Sequence, residues 1–214
     1  MADHVRELLA PHSSVLIHQV KEWGEILVDF ETRNKYHLLT PGGEPLGFIA
    51  ERNKGFWGAV LRQVLRSHRS MEIKVWNNQR EEVLDLRRPF FWIWSDLHVT
   101  CEGRVLGSVN RRFAFFHKKY DLRDEQQRTF ATIKAPFWRL WTFPILSTPA
   151  AEPIGVITKK WGGLLKEAFT DADKFKVEFP QWNESQKAVA LAAAVCIDLD
   201  YFEDNGSRNN VFSG

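Results

Sequence analysis

Hydrophobic and polar residues alternate along most of the chain from about residue 14 onward. Segments such as 35–40 and 72–76 place every second residue on an apolar face, which is the pattern of a half-buried β-strand. Turn-forming residues separate the segments, as at Pro41-Gly42-Gly43. About a dozen strands at spacings near ten residues predict a mainly β barrel or sandwich. The candidate strands are 15–18, 26–30, 35–40, 45–51, 71–76, 82–86, 96–101, 104–110, 119–124, 129–135, 143–146, 153–160 and 174–179.

Three stretches show helical spacing of apolar residues: 56–66, 161–169 and 184–203. The last contains an uninterrupted apolar run from Ala188 to Ile197. That run is roughly 15 Å long at 1.5 Å per residue, about half the thickness of a hydrocarbon core. It is also rich in alanine and therefore thin, so we expect it inside the β structure and not across a membrane. The chain then reads as an N-terminal segment (1–13), one barrel domain (14–204) that includes the helix 184–203, and a flexible C-terminal tail (205–214).

Three passages resemble the phospholipid scramblase family. They are LIHQV at 16–20 with FETRNKY at 30–36, IGVITKKWGGLLKEAFTDADKF at 154–175, and FP at 179–180 followed by KAVALAAAVCID at 187–198. The resemblance implies a tubby-like fold, a closed twelve-stranded antiparallel β-barrel around a central hydrophobic C-terminal α-helix. It also implies ATP-independent, bidirectional movement of phospholipids between leaflets, which is lipid translocation and not covalent catalysis.

Aromatic residues and basic charge are concentrated in the same part of the chain. The sequence has 9 Trp, 16 Phe and 3 Tyr, and its net charge of +2 hides an uneven distribution. Residues 51–141 carry a local charge of +8, and the remainder carries −6. Basic charge interleaved with aromatics suits an anionic membrane surface or single-stranded nucleic acid. Runs such as FFWIW at 90–94 favour insertion into lipid, so nucleic-acid binding is the less favoured partner.

Three aromatic clusters, at 55–62, 87–94 and 135–144, stand where animal members of the family carry cysteine-rich, palmitoylated loops. None of the three contains cysteine. We hypothesise that aromatic and arginine side chains replace the acyl chains as the membrane anchor, exposed at one end of the barrel. The alternative is that these aromatics pack the core. The candidate membrane-binding residues are Phe56, Trp57, Arg62, Arg66, Arg87, Arg88, Phe90, Phe91, Trp92, Trp94, Phe137, Trp138, Arg139 and Trp141.

Family members are held to bind Ca²⁺ through a twelve-residue segment before the last helix. The equivalent here runs from Asp171 to Trp182, with Asp171 and Asp173 as candidate ligands. Trp182 stands where a final carboxylate is expected, and two lysines add repulsion. The alternative interpretation is that the two aspartates end a helix and begin a strand. No other cofactor is indicated.

Catalytic motifs are not found: the sequence has no Walker loop, HExxH or GxSxG, and its seven histidines show no ligand spacing. Cys101 and Cys196 form no CxxC pair, so no disulfide framework is expected. Asp200 ends the apolar helix, where we expect it to reach solvent or a basic partner, because a buried unpaired carboxylate is costly.

The cysteine usage and N-terminal residues favour a cytoplasmic protein, and the family resemblance implies peripheral association with the inner face of the plasma membrane. Its expected partner is an anionic phospholipid membrane, and two alternatives stay open for how it acts there: as a single chain that perturbs lipids locally, or as a homo-oligomer. The alternative function is a lipid-binding or membrane-tethered signalling module without transport.

Overall fold

Twelve strands form a single closed antiparallel β-barrel in the computed structural model. The structure describes residues 3–20, 35–52, 70–90, 95–112, 117–136, 138–139, 141–148, 151–160 and 174–201. The elements are α1 (Asp3–Leu9), β1 (Ser14–Gln19), β2 (Lys35–Leu39), β3 (Pro45–Glu51), β4 (Met71–Asn77), β5 (Glu82–Arg88), β6 (Ser95–Cys101), β7 (Arg104–Arg112), β8 (His117–Asp124), β9 (Thr129–Pro136), β10 (Thr142–Leu146), β11 (Pro153–Lys160), β12 (Lys174–Glu178) and α2 (Glu184–Tyr201).

The predicted mainly β fold is confirmed. Twelve of the candidate segments correspond to β1 through β12, within one or two residues at their ends. The remaining strand candidate, 26–30, and the helices expected at 56–66 and 161–169 lie outside the described residues. Each strand pairs with its neighbours in chain order, and β1 closes the barrel by pairing with β12, with Val15 opposite Val177.

The connections alternate between the two ends of the barrel, because every pair of neighbouring strands is antiparallel. We call one end the turn end: β2, β4, β6 and β8 finish there and continue into connections of five residues or fewer. Helix α2 begins at the turn end and finishes at the opposite end, which we call the exit end. Strands β1, β3, β5, β7, β9 and β11 also finish at the exit end.

Helix α2 occupies the interior of the barrel. Every residue from Ala188 to Ile197 is buried, so the helix has no solvent-facing side. Its small alanines let the surrounding strands approach closely. Gly107 of β7 shows how close: a Cβ added there would lie 2.7 Å from Val189 Cγ2, so only glycine fits. Among the described residues, no helix is long and apolar enough to cross a membrane.

The start of α2 is fixed by a capping box. The Asn183 side chain accepts a hydrogen bond from the Gln186 backbone N–H at 2.9 Å, and the Gln186 side chain accepts one from the Asn183 N–H at 3.3 Å. These reciprocal bonds satisfy two backbone donors that the first helical turn leaves unpaired. The first helical turn of α2, which these bonds stabilise, lies at the turn end of the barrel.

Helix α1 covers the barrel at the turn end, and it was not predicted from the sequence. Val5, Leu8 and Leu9 of α1 belong to the same buried core as α2. The ammonium of Lys187, in α2, donates to the carbonyl oxygens of Leu9, Ala10 and His12 at 3.0, 3.0 and 2.7 Å. A cation at the C-terminus of α1 also suits the helix dipole. The N-terminal segment is therefore tied to the core helix.

Candidate functional site

The strand ends that flank the three aromatic clusters all lie at the exit end. The first cluster follows β3, the second joins β5 to β6, and the third joins β9 to β10. Each of these connections leaves an odd-numbered strand, so the strand ends that precede the three clusters all lie at the exit end. Several predicted members lie outside the described residues: Phe56, Trp57, Arg62, Arg66, Phe91, Trp92, Trp94 and Phe137.

The described aromatics of these clusters are exposed. Trp138 has 65% of its surface accessible, Phe90 has 41% and Trp141 has 38%. The other large hydrophobic side chains exposed in the described part of the chain are the smaller Val105 and Ile154, which begin β7 and β11 at the turn end. Among the described residues, the exposed aromatic side chains therefore lie at the exit end.

Acidic charge marks the opposite end of the molecule. The connections at the turn end, together with the first residue of α2, carry glutamates that are exposed or half-buried: Glu44, Glu81, Glu102, Glu125, Glu152 and Glu184. Some are paired locally, as Glu125 is with Arg104 at 3.0 Å. An anionic membrane would repel this end.

Arginines lie at the exit end, where several strands finish. Arg87 and Arg139 are exposed, and Arg111 and Arg112 are half-buried at the end of β7. Arg87 contacts Asp85 at 2.7 Å, and Arg112 contacts Asp121 at 2.9 Å, so outward-facing acids partly neutralise them. Basic side chains thus lie at the same end of the barrel as the exposed aromatics.

The structure corrects the prediction for Arg88, which was placed in the membrane-binding set. Arg88 is buried and points into the barrel, whereas its neighbour Arg87 is exposed. Successive side chains of a strand point to opposite faces, and Arg88 shares the inward face of β5 with Leu84 and Leu86. Burial alone would lower the pKa of Arg88, but the Asp200 carboxylate outweighs this effect and the pKa lies above its ordinary value.

Two carboxylates at the end of α2 join the helix to strands around the barrel. Asp198 accepts a hydrogen bond from Tyr36 of β2 at 2.7 Å, and Lys159 of β11 lies 3.6 Å from it. Asp200 accepts hydrogen bonds from Arg88 of β5 at 2.8 Å and from Tyr120 of β8 at 2.9 Å. Arg111 of β7 lies 3.7 Å from Asp200. The expected basic partner of Asp200 is therefore present, and buried.

A second pair of cations, Lys118 and Lys159, faces the interior from β8 and β11. Both are buried, with their ammonium groups 5.2 Å from the Phe143 ring centroid and 5.3 Å from that of Phe175, respectively. Burial and the positive charge of Lys159 lower the pKa of Lys118 to about 8. Nothing in the local sequence marks Lys118, since it is one of two adjacent lysines in an ordinary strand pattern.

The candidate calcium segment spans the length of the barrel. Asp171 and Asp173 lie outside the described residues, and the segment continues as β12, which runs from the exit end to the turn end. Trp182 lies at the turn end, where its ring packs edge-on against Phe130 at 5.1 Å. The described part of the segment, 174–182, therefore runs from the exit end to the turn end. Within the described ranges, no three His, Cys, Asp or Glu residues are grouped so as to hold a metal ion.

Cys101 and Cys196 are both buried free thiols. Burial raises the pKa of Cys196 far above its ordinary value, with the Asp200 carboxylate adding to the effect. Neither thiol has the lowered pKa of a reactive cysteine.

Comparison with known proteins identifies the family. The family model described as Scramblase matches residues 2–204. Phospholipid scramblase 1 of Homo sapiens is 29% identical over 216 residues, covering 94% of this chain and 67% of that protein. The Mus musculus protein of the same name is 28% identical, and the match covers 65% of it. The chain thus spans about two thirds of the length of these relatives.

Two further proteins are similar. Altered inheritance rate of mitochondria protein 25 of Saccharomyces cerevisiae is 24% identical over 252 residues, covering 98% of this chain and 76% of that protein. A solved structure of an Arabidopsis thaliana protein matches with a TM-score of 0.46 and 11% identity, covering 89% of this chain and 91% of that one. Since the family model covers nearly the whole chain, this protein belongs to the Scramblase family.

Proposed function

We propose that this protein binds an anionic phospholipid membrane through the exit end of its barrel and moves phospholipids between the leaflets. The observation that supports membrane binding is the exposure of Phe90, Trp138 and Trp141 at the exit end, while the turn end carries glutamates. Aromatic side chains suit the headgroup boundary, and each nearby Lys or Arg adds about 1 kcal/mol at an anionic surface. This charge arrangement favours one orientation on the membrane.

Lipid movement is proposed from the family and from the printed names of the mammalian relatives. We propose that it is bidirectional and independent of ATP, and that it occurs at the cytosolic leaflet of the plasma membrane. The interior of the described barrel is filled by α2, so we place the lipid path outside the barrel. Side chains inserted from the exit end would disorder the headgroup layer, either from one chain or from a homo-oligomer.

Sedimentation with vesicles of phosphatidylcholine and phosphatidylserine tests the membrane contact. The double variant Trp138→Ala/Trp141→Ala should lose about tenfold or more in affinity, the equivalent of about 1.4 kcal/mol. The matched control is Val105→Ala/Ile154→Ala, because these side chains are 42% and 38% exposed at the turn end. Equal binding by the two double variants would contradict the proposed orientation.

A reduction assay with fluorescent lipid separates transport from simple binding. Vesicles that contain the purified protein should expose inner-leaflet probe to the reductant faster than protein-free vesicles, without added ATP. Binding without faster exchange would support the second candidate, a membrane-tethered lipid-binding module. Binding to single-stranded nucleic acid at physiological salt, with no vesicle binding, would overturn both.

A further inference from the structure

The seam between β9 and β10, the line along which these two strands pair, is shorter than any other seam of the described barrel. Its register holds two residue pairs, between 132–133 and 145–146. Every other seam holds at least three. Both strands continue toward the exit end, as 134–136 and 142–144, and there remain paired with β8 and β11, respectively. We call these two segments the exit half of the seam.

A proline of β10 points its backbone toward this seam. The Trp141 carbonyl oxygen accepts a hydrogen bond from the Lys159 N–H of β11 at 2.8 Å, so the backbone groups of Trp141 point toward β11. Successive residues of a strand direct these groups to alternate sides, so those of Thr142 and Pro144 point toward β9. Pro144 therefore faces the seam with no N–H to donate.

Each of the next two hydrogen-bonded pairs of the seam contains one proline. Continuing the observed register places Pro144 opposite Lys134 and Thr142 opposite Pro136. In such pairs the two residues exchange two N–H···O bonds, and a proline removes one of them. Proline in sheets is typical of edge strands, first residues and bulges. The exit half of the seam therefore resembles two facing strand edges within a closed wall.

The core helix is held mainly by other parts of the wall. It packs most closely against β6, β7, β8 and β12. Its carboxylate Asp200 accepts hydrogen bonds from Arg88 of β5 and Tyr120 of β8. The exit half of the seam contributes Ala135 and Phe143 to the buried core. Separation of the strand ends would uncover these apolar side chains without breaking the contacts of Asp200.

Exposed tryptophans lie at the exit end of the same seam. Trp138 follows the end of β9 by two residues, and Trp141 directly precedes β10. Their side chains are 65% and 38% accessible. The surface proposed to contact the membrane is therefore continuous with the weakly paired part of the wall.

We propose that the β9–β10 seam opens from the exit end while α2 stays in place, and that the resulting cleft admits phospholipid from the membrane. The lipid as occupant rests on the proposed function; the opening of the seam does not. The cleft lies in the wall itself, since α2 fills the interior.

Hydrogen exchange measured by NMR tests the opening without membranes. The Lys134 N–H points into the exit half of the seam and should exchange at least about tenfold faster than the Thr158 N–H, after correction for intrinsic rates. Thr158 is the matched amide, because both residues lie two positions before the end of their strands. By the same alternation, the Thr158 N–H points into the seam with β12, which pairs over five residues. Equal exchange rates would overturn the opening.

Pro144→Val supplies the missing donor, and valine favours strands. The Lys134 amide should then exchange as slowly as that of Thr158. Fluorescent lipid should cross between leaflets about tenfold more slowly, with vesicle binding unchanged. Pro153→Val is the matched control, because Pro153 is the exposed first residue of β11 at the turn end. Equal effects of the two variants would be a general consequence of losing a proline and would overturn the proposal.

A cross-link made in the folded protein covers the case in which Pro144→Val does not fold. Lys134→Cys/Thr142→Cys keeps both prolines and places thiols on the two strands of the exit half, while the native thiols are buried. Joining the new thiols with a short bifunctional reagent should slow lipid exchange about tenfold relative to the same protein before the reaction. Thr158→Cys/Lys174→Cys is the control, at the equivalent positions of the seam between β11 and β12. Lipid exchange that is unchanged by the first cross-link, or slowed equally by both, would overturn the role of the seam.

The outcomes also separate this inference from the proposed function. Fast exchange at Lys134 that Pro144→Val slows, in a protein that neither binds vesicles nor moves lipid, would support the opening and contradict the proposed function. Vesicle binding and lipid exchange that neither Pro144→Val nor the cross-link alters would support the proposed function and overturn the lipid cleft.

Discussion

The Arg88 guanidinium donates a hydrogen bond to the Asp200 carboxylate at 2.8 Å, and both side chains are buried at the exit end of the barrel. The two residues are 112 positions apart in the sequence, and their contact joins the end of β5 to the end of α2. Tyr120 makes a parallel connection from β8 to the same carboxylate. The end of the core helix is thus held by polar contacts that its apolar run cannot provide.

Arg88→Ala should lower the free energy of unfolding by about 3–5 kcal/mol, because it leaves the Asp200 charge buried without its main partner. Arg87→Ala should lower it far less, because Arg87 is exposed and its ion pair with Asp85 is screened by solvent. Urea denaturation followed by circular dichroism measures both. Similar losses for the two neighbours would show that the buried pair does not hold the helix.

The double variant Arg88→Met/Asp200→Leu is the informative companion. It removes both charges and replaces them with apolar side chains of similar size, so it should recover much of the stability that Arg88→Ala loses. A double variant as unstable as Arg88→Ala would indicate that Tyr120 and Arg111 also need the carboxylate.

Local patterns were sufficient to predict most of the strands and the core helix. Alternation of hydrophobic and polar residues at 35–40 and 72–76 indicated β-strands. The alanine-rich run with Asp198 and Asp200 at its end indicated a helix inside the barrel. Helix α1 was missed because it has only seven residues, and its burial depends on Lys187, which lies 178 positions from Leu9. Such a helix is defined by tertiary contacts and not by its own periodicity.

The site was predicted less well than the fold. The strand order places the described aromatics at the exit end. Asp200 has a basic partner, as expected from the free-energy cost of burying an unpaired carboxylate. Arg88 was misplaced because two adjacent arginines look equivalent in sequence, although they face opposite sides of β5. One residue of register decides which points to solvent. The inward orientation of Lys118 was not predicted either, because Lys118 and Lys119 are also adjacent and look equivalent in sequence.

Basic charge at the exit end should matter more for membrane binding than the same charge at the turn end. Arg87→Gln/Arg139→Gln should weaken binding to anionic vesicles by about thirtyfold at low salt, since each of the two basic residues near the surface contributes about 1 kcal/mol. Arg104→Gln/Arg128→Gln has the same change in net charge but alters the turn end, so it should bind like the unaltered protein. Equal weakening by both would mean that net charge, not its position, controls binding.

Lys187→Met should release α1 from the turn end. The ammonium of Lys187 supplies hydrogen bonds to three carbonyl oxygens around the end of α1, and their loss should cost about 1–3 kcal/mol. Hydrogen exchange should accelerate in residues 3–12 more than in α2. Lys176→Met, on the outer face of β12, is the control and should leave exchange in α1 unchanged. Uniform acceleration across the barrel would contradict a local role.

Calcium binding can be tested through Asp171 and Asp173, the candidate ligands. β12 runs from the exit end to the turn end, where Trp182 lies. Calorimetry with millimolar Ca²⁺ should give heat with the unaltered protein and none with Asp171→Asn/Asp173→Asn. Absence of heat from the unaltered protein would remove calcium from the proposal.

Stability should rise with pH through the titration of Lys118. Burial and the charge of Lys159 lower the pKa of Lys118 to about 8 in the folded protein, against 10.5 for an unperturbed lysine. Between these values the unfolded chain binds more protons than the folded one, so the free energy of unfolding increases with pH. Below about 8 both states are protonated, and the buried ammonium is a constant destabilising charge. The other charged or titratable side chains in the described interior of the exit end are Glu51, Arg88, Arg111, Lys159, Asp198, Asp200, Cys196, Tyr36 and Tyr120.

Lys118→Met removes this titration, and the difference between the two proteins isolates it from the other groups. The variant should be more stable than the unaltered protein at pH 7, and its advantage should shrink as the pH approaches 10. Lys119→Met should show no such convergence, because Lys119 is half-buried on the outer face beside Asp121. Urea denaturation at intervals between pH 7 and pH 10 gives the curves. A constant difference across that range would mean that Lys118 titrates like an ordinary lysine and that the buried pair carries no repulsion.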